Sequence, residues 1–160
     1  AVGQYLIRIT LAGDGTRLTK VKLKEDGLFE VSIPDDPKPE KSYVRVLKTN
    51  SSDVKRAKKG DVVSIHFQVV GWETGETREA SRKLTSDPIK VEAGLDNESL
   101  LRGAVAKCNV IVPQHLSDAL VGSAAGDRKL VIFPKDTNDL PMHLPKSDAY
   151  ALVVDIYEVH

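Results

Sequence analysis

LVGSAAGDRKLVIFP, residues 120–134, is the stretch on which the reading of this chain turns. Its first residues close a short helix, Gly126-Asp127 supplies a turn, and RKLVIFP runs on as a strand that stops at Pro134, which has no N–H for a ladder. Gly122, Ala124 and Ala125 read as scaffold, small residues that let a helix cross a curved sheet closely. Just upstream, PQHLSDALVG (113–122) forms that helix, with Pro113 near its start. Downstream, the loop KDTNDLPMHLPKSD (135–148) leads to a further strand, AYALVVDIYEV (149–159).

Strand signals continue toward the N-terminus. In DVVSIHFQVV (61–70), Val63, Ile65, Phe67 and Val69 recur with strict period two, which places them on one face of a strand. YVRVLK (43–48) and DPIKV (87–91) are shorter strands, and WETGE (72–76) is a turn around Gly75. ESLLRGAVAKC (98–108) carries Leu100, Leu101, Ala104, Val105 and Cys108 on one helical stripe, with Asp96 or Asn97 as cap. Residues 42–160 therefore read as one α+β domain, mostly sheet with short helices on one face. Residues 1–41 read as an N-terminal extension: a strand QYLIRI (4–9), a hairpin VKLKEDGLFEVSI (21–33) and a proline-rich linker PDDPKPEK (34–41).

Composition narrows the function. Lysine plus arginine equals aspartate plus glutamate at 23 each, so no overall field draws the chain to nucleic acid. No apolar run approaches the roughly 20 residues that cross a bilayer. The single cysteine, Cys108, allows no internal disulfide and reads as a buried, inert thiol. The four histidines are scattered without ligand spacing, so no metal or other cofactor is expected. Glycine-rich nucleotide loops, the serine-hydrolase elbow, H-E-x-x-H and C-x-x-C are all absent. A start at Ala1 without methionine fits a processed export product or a trimmed fragment.

Taken in order, the segments resemble the FKBP-type peptidyl-prolyl isomerases. That family's opening strand and loop ending in lysines and G-D corresponds to YVRVLKTNSSDVKRAKKGD. Its H-Y-T-G strand corresponds to His66-Phe67-Gln68-Val69, and its F-D-S-S motif to Arg78-Glu79-Ala80-Ser81. V-I-P-G-W entering a helix corresponds to Val112-Pro113-Gln114-His115-Leu116, followed by LVGSAAGDRKLVIFP. The final L-V-F-D-V-E-L corresponds to residues 152–158. The resemblance covers roughly residues 42–160 and implies a bent antiparallel sheet wrapped around a short helix. The leading segment is similar to the linker of exported actinobacterial members with tandem domains. On that likeness the setting is outside the cytoplasm, and QYLIRI is either the last strand of a preceding domain or an added edge strand.

Such an enzyme needs no nucleophile or metal. Rotation about a prolyl peptide bond meets a barrier of about 18–20 kcal/mol, and it is eased by an apolar pocket, loss of water and a few donors that fit the twisted amide. The resemblance implies substrate-binding positions at Phe67, Ile89, Val112, Pro113, Leu116, Leu144 and Val154, and catalytic polar positions at Glu79 and Asn138. Phe67 keeps a ring where the family has tyrosine. Arg78, Ile89 and Val154 stand where it has phenylalanines, and Leu116 or His115 stands at the floor tryptophan. Val112 or Pro113 falls at the backbone donor, and Thr137 or Asn138 near a hydrogen-bonding tyrosine. An insertion of roughly 15 residues, GLDNESLLRGAVAKC, precedes the helix. The implied function is protein folding on proline-containing polypeptides with a degenerate pocket and low activity. The alternative is a non-catalytic chaperone-like binding module, since alternating apolar residues of a small sheet are ordinarily core.

Overall fold

The period-two segment becomes the central strand of the molecule. The computed structural model describes residues 4–6, 20–25, 27–33, 37–94, 113–137 and 144–160. Among these, the elements in chain order are β1 (Gln4–Leu6), β2 (Lys20–Leu23), β3 (Phe29–Ser32), β4 (Tyr43–Lys48), β5 (Val62–Gly71), β6 (Thr77–Ala80), α1 (Ser81–Leu84), β7 (Ile89–Glu92), α2 (Gln114–Leu120), β8 (Arg128–Phe133) and β9 (Tyr150–Val159). All of the insertion after Gly94, including the helix expected at Glu98–Cys108, lies outside the described residues, as do Val112 and Asn138.

Two antiparallel sheets form. The larger is six-stranded with the order β4-β8-β9-β5-β6, and β7 pairs with β5 beside β6. Register shifts at Val46/Lys48, Ser64/Ile65 and Val69/Val70 break the ladder locally, as bulges do where a sheet bends and twists. The smaller sheet, β1-β2-β3, is built on the expected hairpin. Gln4–Leu6, the described part of the QYLIRI stretch, form β1 and pair with β2 in this smaller sheet.

The larger sheet is covered on both faces, which alternation alone did not announce. On one face, α2 drives Leu116, Ala119 and Leu120 into a cluster with Ile65, Phe67, Val91, Phe133, Tyr150, Leu152 and Val154. On the other, Val21, Phe29 and Val31 of the hairpin meet Val70, Trp72, Leu130, Ile132, Ala151 and Val153. Trp72, placed on a turn by its sequence, is thus only 5% exposed. Buried Gln68 ties the layers: the Phe29 N–H donates to Oε1 at 2.7 Å and Nε2 donates to the Phe29 carbonyl at 2.7 Å. Arg128 stacks over the Phe29 ring at 4.7 Å while its Nε donates to Asp155 at 2.7 Å. Lys38, in the proline-rich stretch, reaches Glu73 at 3.3 Å and the Ser147 carbonyl at 2.8 Å.

The opening stretch folds as helix end, turn and strand. Gly122 and Gly126 both take positive φ (86° and 93°), which side chains resist. A methyl group at Gly122 would meet nothing within 4 Å, so this glycine serves the turn of the chain and not close helix–sheet approach. Close packing falls instead to Ala124, fully buried. α2 has no basic residue in its last turn, and Lys129 of β8 supplies one, donating from Nζ to the Ala119 carbonyl at 2.7 Å. Burial lowers the pKa of this lysine, with the charge of Asp127 acting the other way.

Candidate functional site

Phe67 lies at a gap in the ladder. β9 flanks β5 along one side, but on the other β7 pairs as far as Ile65 and β6 begins at Gln68. Ser81, the first residue of α1, fills the gap: the Phe67 N–H donates to its Oγ at 2.8 Å, and the Phe67 carbonyl lies 3.2 Å from the same oxygen. One hydroxyl oxygen therefore takes the N–H that no strand accepts at this position and holds Phe67 in place.

The ring of Phe67 points to the helix face. Val154 stands directly opposite it on β9, and Ile89 stands opposite Ile65 on β7. Leu116 closes the group from α2, and these four residues, none more than 4% exposed, belong to one apolar cluster. Half-buried Leu144 packs against this cluster. Pro113, buried, starts α2, and its carbonyl accepts the Ser117 N–H at 3.1 Å. Glu79 is half-buried and pairs in register with Val69. Residues directly opposite share a face, so Glu79 lies on the same face as Phe67. Arg78 is exposed beside it. The structure thus brings five predicted apolar positions together, Phe67, Ile89, Leu116, Leu144 and Val154, with Pro113 opening the helix above them and one carboxylate on their face.

Polar groups that the sequence did not single out frame this site. The Tyr150 hydroxyl donates to the Pro145 carbonyl at 2.6 Å, and burial, then the charge of Asp148, raises its pKa. Asp148 is buried and accepts the N–H groups of Ala149 at 2.8 Å and Glu73 at 3.1 Å, which fixes the turn at Trp72. Asp127 accepts the N–H groups of Asn50 at 2.6 Å and Ala124 at 2.9 Å, tying the loop after β4 to the turn before β8. Aspartates that stop alternation just before a strand were the only available signal. Among the described residues no group of histidine, cysteine and carboxylate side chains is arranged to hold a metal.

His66 and Ser81 have the spacing of a base and nucleophile, Nδ1 to Oγ at 2.8 Å, yet they cannot act as such. Ser81 is fully buried and its oxygen already serves Phe67. The Ser86 carbonyl, 3.2 Å from Nε2, can only accept, so Nε2 carries the ring proton and Nδ1 accepts from Ser81. Burial lowers the His66 pKa first; the Ser86 hydrogen bond, Asp155 and Asp87 oppose that, and Arg82 adds to it. The unfolded chain then binds this proton more readily. Stability from neutral His66 is full above about pH 6.5 and is lost as pH falls from there through the lower folded value. Melting temperature is expected to drop as pH falls below about 6.5, and His66→Gln to flatten that slope. An unchanged slope in the variant would assign the loss to other groups.

No family model matches the chain, and no curated protein matches it in sequence. Solved structures do. The N-terminal domain of FKBP42 from Arabidopsis thaliana is similar over 78% of this chain and 88% of that one, with a TM-score of 0.50 and 15% identity. At that identity the likeness is one of fold. It agrees with the mostly antiparallel sheet and the short helix described above. The chain has an α+β, FKBP-like fold, a bent antiparallel sheet on a short helix, to which an N-terminal three-stranded sheet is added on the opposite face.

Proposed function

We propose that this chain is an FKBP-type peptidyl-prolyl cis-trans isomerase domain with a reduced pocket and low turnover, acting on proline-containing polypeptides during their folding. The observation that carries this reading is the convergence of Phe67, Ile89, Leu116 and Val154 beneath α2, with Glu79 on the same face, within an FKBP-like fold. An apolar floor desolvates a proline ring, and a twisted amide loses its resonance more readily where water no longer favours the planar form. Phe67 supplies the one ring of the implied wall, held in register by Ser81. The likeness of the N-terminal segment to exported proteins extends the proposal to a setting outside the cytoplasm, which cell fractionation tests.

A second reading, a polypeptide-binding module without turnover, is favoured by exposed Arg78 where the family has an aromatic wall, and by how completely the four apolar residues are sealed in the core. A protease-coupled isomerase assay on a short proline peptide separates the two. Measurable acceleration over the uncatalysed rate supports the isomerase. A rate equal to background, from protein that still binds the peptide, supports the module.

A further inference from the structure

β4 is the outer strand of the larger sheet, and among the described residues its free edge pairs with no strand. Natural sheets blunt such edges with charges, proline or a very short strand. β4 is six residues long, and Val44 and Val46 on one face are 42% and 53% exposed. On the opposite face Arg45 sits half-buried between Tyr43 and Leu47. Its Nη1 is shut off from solvent and has no hydrogen-bond partner among the described residues. Leaving a buried charged donor unpaired is costly. Neighbouring guanidiniums are engaged: Arg128 with Asp155, and Arg56 with the carbonyls of Asn50 and Gly122. Lys41 and Lys48 flank the strand, and no acidic residue occurs between Lys41 and Ser52. Burial also holds the Arg45 pKa below its ordinary value.

We infer that the free edge of β4 docks an extended segment of a partner polypeptide in which an acidic residue stands between two apolar ones. The segment adds a strand beside β4. Its carboxylate draws out the half-buried Arg45 side chain, whose Nη1 is closed to solvent in the free chain, and pairs with it on one face, and its apolar side chains cover Val44 and Val46 on the other. In strand addition, main-chain hydrogen bonds supply affinity and alternate side chains supply specificity. The spacing required, apolar-acidic-apolar, mirrors Val44-Arg45-Val46 because residues directly opposite share a face. This site is separate from the Phe67 cluster and needs no proline, so its fate is independent of the isomerase reading.

The test uses the whole chain, isotope-labelled, titrated with the capped, proline-free peptide Thr-Ser-Val-Glu-Val-Ser-Thr and followed by backbone amide shifts. Saturable shifts centred on Tyr43 to Lys48 are expected. Replacing the peptide glutamate by glutamine is expected to weaken binding by about tenfold or more, and to change nothing in Arg45→Gln protein. N-methylation of alternate peptide residues should abolish binding in one of its two phases, the one whose N–H groups face β4. No saturable shift at millimolar peptide, shifts centred on the Phe67 cluster, or equal affinity for the glutamate and glutamine peptides would overturn the inference. So would shifts of β4 amides on dilution of the free protein, which would make a second copy the occupant. The peptide comparison decides the matter even if Arg45→Gln fails to fold.

Discussion

On a short proline peptide, kcat/KM is expected to fall at least about a hundredfold below that of an FKBP-type isomerase with a full aromatic pocket, since each 1.4 kcal/mol forfeited at the transition state is about tenfold in rate. The pocket positions hold Arg78, Ile89, Leu116 and Val154 where rings are implied, and Phe67 alone retains one. If ring walls act by excluding water from the rotating amide, losing most of them forfeits a few kcal/mol. Phe67→Leu keeps apolar volume in a cluster where Phe67→Ala would cost about 3–5 kcal/mol of stability, and it should erase the remaining turnover. Arg78→Phe is the converse test. Arg78 is exposed, so a ring there restores a wall without repacking the core, and kcat/KM is expected to rise. Turnover at the ordinary level of a full pocket would refute the reduced-pocket reading. Unchanged activity in folded Phe67→Leu would move the site elsewhere.

The largest effect on stability is expected from Gln68→Leu. The substitution preserves volume but removes the amide that pairs with both main-chain groups of Phe29 at 2.7 Å. Those groups would be left unpaired between two apolar layers, at about 1–3 kcal/mol each. For a domain of this size each kcal/mol is worth about 2–4 °C, so the melting temperature should fall by about 4–24 °C. Hydrogen exchange should localise the damage, with faster exchange in β2 and β3 than in β9. A melting temperature within about 2 °C of the parent would show that the apolar contacts of Val21, Phe29 and Val31 suffice without the amide.

Gln68 also shows what the amino-acid sequence could convey. Strict alternation made β5 and β9 legible as strands, and it sorted Val63, Ile65, Phe67 and Val69 correctly onto the helix face. It assigned Ser64, His66 and Gln68 to the other face, where polar residues ordinarily meet water. In the structure all three are buried: the N-terminal hairpin meets Gln68, the corner at α1 meets His66, and His160 meets the Ser64 hydroxyl at 3.0 Å. Period two reveals which residues share a face, but what covers a face depends on contacts between distant segments. For the same reason the hairpin was legible as a hairpin, whereas its docking was not. Within the site, Phe67, Ile89, Leu116 and Val154 could be nominated by position, but Ser81 could not be seen as the group that completes the ladder at Phe67. A hydroxyl that accepts one main-chain N–H in place of a strand leaves no periodic trace.

The double covering of the larger sheet imposes an order in time. The hairpin's landing ground includes Leu130, Ile132, Ala151 and Val153, residues of the last two strands in the chain. A ribosome adding about 5–20 residues per second needs on the order of 6–24 s to travel from Val31 to Val153. The hairpin itself can close in microseconds. It is therefore complete, with Val21, Phe29 and Val31 still uncovered, long before the surface that will receive it exists. The earliest part of this domain to take shape is among the last to come to rest, and in the interval a nascent chain must keep three apolar side chains out of other company.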